Sequence, residues 1–245
     1  MSSLVLAHTR VQFIEQLRVP IGLVAGAFFP AAAFLAFVVP NVSDPAFALG
    51  ATCAMVVFAV MSTGMIGLGI NVAQDRELPW DPYLRTLPAG PYPRIAGRVL
   101  TAMAISLLAM IPVVVLAALF TGATLSPPRL LFGLLAVLVI TIPFMLIGLF
   151  IGFLLPAKAA IGVSQILFFP IAILGGLLGN PMAMPAFIEA VSPYMPSRGA
   201  LELLWWAVMG IEVNWLAIGM LGVWTVVLAL ATAWAYRRDE GRRFS

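Results

Sequence analysis

The sequence predicts an all-α membrane protein with six transmembrane helices. Three observations carry that prediction. Of 245 residues, 62% are hydrophobic and only 9% charged, and mean hydropathy is +1.08. Soluble domains carry about 25% charged residues, so a surface this poor in charge belongs in a bilayer. Six stretches carry no charge at all: 19–43, 45–74, 99–128, 130–157, 159–188 and 213–236. Each exceeds the roughly 20 residues that a membrane helix needs. None alternates polar and apolar with period two, which excludes a membrane strand barrel.

Residues 1–18 open the chain as an amphipathic helix. At about 100° per residue, Leu4, Leu6, Ala7, Val11, Phe13, Ile14 and Leu17 fill one arc. His8, Thr9, Gln12, Glu15 and Gln16 fill the other, with Val5 among them, while Arg10 and Arg18 snorkel from the apolar arc. Such a helix lies in the membrane interface and is in contact with lipid. No apolar core follows closely behind a basic start, so no cleavable signal peptide is expected.

The span cores fall near 20–40, 47–70, 99–120, 130–154, 160–179 and 213–235. Pro30, Pro112, Pro143 and Pro170 lie within them and are candidate kinks. Glycines four apart recur as Gly22/Gly26, Gly148/Gly152 and Gly175/Gly179, a spacing that lets helix backbones approach closely. Between the second and third spans, 71–98 is the longest polar segment. It holds Asp75, Arg76, Glu77, Asp81, Arg85, Arg94 and Arg98, framed by Trp80, Tyr83, Leu84 and Leu87. Segment 180–212, between the fifth and sixth spans, reads as two short helices, 184–192 and 196–210, that dip into the membrane or lie on it. Trp205, Trp206 and Trp215 suit an interfacial belt there. Residues 237–245 form a basic tail.

Arg and Lys set the orientation. Six spans leave both termini on one side. That side carries Arg10, Arg18, Arg76, Arg85, Arg94, Arg98, Lys158, Arg237, Arg238, Arg242 and Arg243, against Arg129 and Arg198 on the other. The positive-inside rule predicts that the termini and the 71–98 loop are cytoplasmic, in a bacterial plasma membrane.

The residues also exclude chemistry. The single cysteine, Cys53, forbids an internal disulfide, and His8 is the lone histidine, so no zinc site can assemble. Scattered basic residues give no nucleic-acid patch. Ser62, Thr63, Ser106, Thr141 and Ser164 lie in spans without a basic partner, so they are expected to bond back into their own helices. The span cores contain no acid, base or histidine for a proton relay. The segment before Lys158 lacks the second glycine and the Ser/Thr of a phosphate-binding loop. A chain that drives uphill movement with this sequence must take its energy from another subunit.

The whole chain resembles the ABC-2 type transporter permeases, the membrane subunits of type V ABC exporters. The resemblance rests on the leading amphipathic helix, the six spans, and the loop running from Asp75-Arg76-Glu77 through Tyr83-Leu84-Arg85-Thr86-Leu87-Pro88 to Arg94 and Gly97. It rests also on Ala159-Ala160-Ile161-Gly162, Phe168-Phe169-Pro170, Met184-Pro185 and Ser192-Pro193-Tyr194-Met195-Pro196. The chain departs from the family's Arg-Glu-x-Gly-Thr-Leu, reading Arg76-Glu77-Leu78-Pro79-Trp80-Asp81-Pro82. The resemblance implies a cytoplasmic ABC ATPase partner that carries ATP and Mg, no cofactor in this chain, and a second permease, either the same or related. Residues 75–88 would be a coupling helix in the ATPase, contacting it through Asp75, Arg76, Glu77, Asp81, Tyr83, Leu84 and Arg85, and 1–18 a connecting helix. Segment 180–212 would re-enter the membrane from outside. Met55, Phe58, Met61, Gln165, Phe168 and Phe169 become candidates for a path taking an amphipathic or apolar cargo, drug-like or lipid. The rival reading is a lipid-modifying membrane enzyme built on the outer cluster Glu189, Arg198, Glu202 and Glu212.

Overall fold

The computed structural model describes residues 2–18, 20–42, 44–79, 92–122, 125–178 and 184–242. The described residues form helices and no strand: α1 (Ser2–Arg18), α2 (Pro20–Ala33), α3 (Pro45–Met61), α4 (Leu68–Glu77), α5 (Tyr92–Phe120), α6 (Pro127–Leu154), α7 (Ala157–Leu174), α8 (Ala186–Val191), α9 (Pro196–Met209) and α10 (Trp215–Arg242). A π turn, Ser62–Gly67, joins α3 to α4 into one rod of 33 residues. A second π turn, Phe34–Val38, and a 3-10 turn, Val39–Asn41, extend α2. Helices α2, α5, α6 and α7 run on through their prolines.

Five helices are long and apolar enough to cross a membrane: Pro45–Glu77, Tyr92–Phe120, Pro127–Leu154, Ala157–Leu174 and Trp215–Glu240. They match five of the six expected spans. The first expected span, 20–40, is different in kind. Its described apolar stretch, Gly26–Asn41, is shorter, and it passes from α-helix into π and 3-10 turns after Ala33.

Local chemistry explains the helix ends. Asp44 caps α3 by accepting the Phe47 N–H at 2.8 Å, with Pro45 in the first turn. Asn214 caps α10, its side-chain oxygen accepting from the N–H groups of Leu216 and Ala217 at 3.1 and 3.3 Å. Gly210, at φ 72°, ends α9 in the left-handed conformation, and Arg129 donates to the last-turn carbonyl of Trp206 at 3.3 Å.

The rod α3–α4 is the axis of the bundle. Nearly all of α3 is buried, packed by α2, α5, α6 and α9. The contact with α6 is backbone on backbone. A Cβ added at Gly148 would sit 2.1 Å from the Gly64 carbonyl oxygen, and one at Gly152 would sit 2.8 Å from that of Gly69. The Gly148/Gly152 spacing therefore serves helix contact within the chain. The span hydroxyls divide. Thr63 and Thr141 donate to Ala59 and Val137 in their own helices, at 2.9 and 2.5 Å, as expected. Ser164 instead crosses to the Met65 carbonyl at 3.5 Å, and Ser106 Oγ is buried with no hydrogen-bond partner among the described residues.

Segment 180–212 does hold two short helices, α8 and α9. Trp205, however, is not an interfacial residue. It lies on the inner face of α9, 4% exposed, and its indole N–H donates to the Gly50 carbonyl at 3.0 Å. Trp206 and Trp215 point outward as expected.

Candidate functional site

A cleft of about 740 Å³ runs along one side of the rod. Its walls come from α1, α2, the Ser62–Gly67 turn, α4, α5 and α7. The α4 wall extends from Ser62 to Asp75, about 20 Å at 1.5 Å per residue. One end is polar: Gln12, Glu15 and Gln16 from α1, Asn71, Gln74 and Asp75 from α4, and Arg98 from α5. The other end is aromatic: Phe29 of α2, and Phe168 and Phe169 of α7, with Gln165 one turn below. Phe29 and Phe169 meet edge to face at 6.2 Å, and Phe168 and Phe169 at 5.4 Å. Phe58 closes the circuit from behind, 4.8 Å from Phe168 and stacked on Phe29 at 6.0 Å. Such edge-to-face and offset pairs favour a fixed arrangement of rings.

The orientation of α1 makes the polar end. Val5, His8, Thr9, Gln12, Phe13 and Gln16 are half-buried, while Leu4, Leu6, Val11, Ile14 and Leu17 are exposed. The helix therefore turns most of its polar arc inward, onto α5 and the cleft, and its apolar arc outward. Gly97 allows the approach, since a Cβ there would lie 2.8 Å from that of His8. Thr101 Oγ1 donates to the Thr9 carbonyl at 3.2 Å.

Beside this end, charges tie the helices together. Arg98 donates to Asp75 at 2.7 Å. Arg76 pairs with Asp239 of α10, and its Nη1 donates to the carbonyls of Gly152 and Leu155 at 2.5 and 3.2 Å. Those carbonyls close α6, so the guanidinium meets the negative end of that helix. Glu77 accepts the Ala157 N–H at 2.8 Å, where α7 begins.

The residues chosen from sequence separate accordingly. Gln165 and Phe169 line the cleft with exposed surface; Phe168 touches its wall but is buried, like Met55, Phe58 and Met61, each at most 2% exposed. Asp75, Arg76 and Glu77 stand at the end of the rod with partners inside the chain. Asp81, Tyr83, Leu84 and Arg85 lie outside the described residues. In the outer cluster, Glu202 is 4% exposed. It accepts from Arg198 at 2.9 and 2.7 Å and from the Asn214 N–H at 3.1 Å, while Arg198 lies 5.0 Å over the Trp205 ring. Both oxygens of Glu202 are thus engaged in holding α9 to the start of α10. Sequence reasoning missed the cleft-facing Gln12, Glu15, Gln16, Asn71 and Gln74. Their signal was the spacing of amides three and four apart, on α1 and on α4.

The chain is similar in sequence to known proteins. A family model described as ABC-2 type transporter matches residues 3–209, from α1 through α9. A Bacillus subtilis (strain 168) protein named "Putative transport permease YvfS" is 25% identical over 186 residues, 76% of each chain. No solved structure matches the chain. The family model takes in every wall of the cleft, and the chain belongs to the ABC-2 type transporter family.

Proposed function

We propose that this chain is the membrane permease subunit of an ATP-driven exporter that carries an amphipathic or apolar cargo out of the cytoplasm. The cleft carries this reading: it joins a polar end, at the loop between the second and third spans, to an aromatic end deeper along the rod. An amphiphile has the same two-part character. Family membership supports transport, and the span cores hold nothing that would power it. A separate cytoplasmic ATPase supplies the energy, docking on the loop 71–98, whose Asp81, Tyr83, Leu84 and Arg85 are contact residues. Helix α2 with its turns is the sixth span. The termini and the loop are cytoplasmic, α8 and α9 re-enter from outside, and a second permease, identical or related, completes the membrane unit. The exporter sits in the bacterial plasma membrane.

The test is a mild-detergent purification of the tagged protein with its companions identified by mass. An ATPase subunit is expected to co-purify with the wild type, and Arg85→Glu to lose most of it while the permease stays folded. Recovery of the chain alone from both, under conditions that keep other membrane complexes whole, would remove the exporter reading.

A further inference from the structure

Among the described residues, the cleft contains an unequal set of charges: its charged lining residues there are Glu15, Asp75 and Arg98. Asp75 and Arg98 neutralise one another at 2.7 Å. Glu15 has no ion-pair partner among the described residues, and its carboxylate stands on an exposed turn of α1 at the polar end. The remaining polar groups are neutral amides and hydroxyls. At the other end, Phe29 and Phe169 are exposed, at 66% and 40%, and present ring surface. A carboxylate attracts a cation, and ring faces attract one too, by their quadrupole. No free cationic side chain among the described lining residues serves an anion. Both ends of the cleft therefore select the same sign.

We propose that the cleft binds lipophilic cations, with the positive group held toward Glu15 and the apolar body against Phe29 and Phe169. This deepens the export reading by assigning its cargo a charge, and it rests on that reading for the word cargo. The binding itself needs only this chain. A cation-bearing amphiphile also reconciles the site with spans that are free of charge. Its charge meets the protein on the interfacial helix α1, while its apolar body enters the bundle. Neutral Gln12, Gln16, Asn71 and Gln74 supply hydrogen-bond acceptors around the cation without a competing charge.

Equilibrium dialysis against the full chain in phosphatidylcholine nanodiscs tests this, with protein-free nanodiscs as the blank. The probes are tetraphenylphosphonium, its near-isosteric anion tetraphenylborate, and neutral triphenylphosphine oxide. The cation is expected to bind saturably and more tightly than the anion and the neutral probe. Glu15→Gln should weaken the cation about threefold to fivefold, the scale of one exposed charge pair, and leave the neutral probe unchanged. Phe169→Ala, at a half-exposed ring, should weaken cation and neutral probe alike. Absence of saturable binding, equal binding of all three probes, or indifference of the cation to Glu15→Gln would overturn the proposal. An ATPase that co-purifies with a chain blind to probe charge leaves export standing and removes the cation. A cation site in a chain that recruits no ATPase does the reverse.

Discussion

At the scale of single residues, the glycines and Arg76 decide how tightly the bundle closes. Gly148 has no room for one more carbon, because the neighbour it would strike is the Gly64 backbone and not a movable side chain. Gly148→Ala is expected to push α6 off the rod by about 1 Å and to cost about 1–3 kcal/mol, as overpacked cores do. Gly162→Ala meets nothing within 4 Å and removes a helix-weakening glycine, so it should be neutral or mildly stabilising. Thermal unfolding of the two variants in detergent checks the contrast, and equal melting temperatures would refute it. Arg76 makes a different claim. Its planar fork reaches Asp239 and two carbonyls at once, which a lysine's point charge cannot reproduce. Arg76→Ala removes an ion-pair partner of Asp239, whose side chain is 3% exposed, and two hydrogen bonds to the end of α6, and should cost about 3 kcal/mol. Arg76→Lys should recover only part of that loss. A stable Arg76→Lys protein that no longer retains its ATPase would instead assign this arginine chiefly to the partner.

At the scale of elements, α1 shows both what the sequence made legible and where it stopped. The helix α1 and its two arcs follow from residue types alone. So do five of the long apolar helices and the two short ones after α7, because apolar length is a strong signal in a chain with 9% charge. Which arc faces the protein does not follow. In a soluble fold the apolar arc turns inward; here it turns outward, as lipid surroundings would favour, and the polar arc finds its partners on α5 and in the cleft. The same inversion hid the cleft-facing role of Gln12 and Gln16, placed from sequence only on the polar arc. The burial of Met55, Phe58 and Met61 was hidden for a different reason: a buried Met or Phe and one lining a cleft look alike in a charge-free span, and only the crossing of α3 with α7 puts Phe58 behind Phe168. The orientation of α1 has a direct check. In inverted vesicles a membrane-impermeant maleimide should react quickly with Glu15→Cys and slowly with Leu6→Cys and Val11→Cys, whose positions face lipid. Cys53, 3% exposed inside α3, gives little background. Equal labelling of all three would take α1 off the membrane.

At the scale of the molecule, everything about direction depends on whether the helices that cross number five or six, because parity decides where the termini lie. The uncertain member is α2. Its α, π and 3-10 pieces have 14, 5 and 3 residues, 22 in all. At 1.5 Å per residue that is about 33 Å, enough for a hydrocarbon core of about 30 Å. The chain also leaves the end of this stretch through Asn41 and Asp44 and turns straight into α3, whose first turn Asp44 caps. A return at that point fits a polar turn on the far side better than a bend within lipid, where unsatisfied backbone would be costly. Six crossings are therefore the expectation, and they would put eleven basic residues on the side of the termini and two on the other. Reporters active only in the cytoplasm, fused before Met1 and after Ser245 in two separate fusions of the full chain, should both be active. A reporter inserted between Asn41 and Asp44 should be silent, and a periplasm-active reporter at the same place should light up. Termini on opposite sides would mean that α2 enters and leaves on one face. The polar end of the cleft would then lose its tie to the cytoplasmic loop through α1, and the direction of transport would have to be argued afresh from Arg129 and the outer helices.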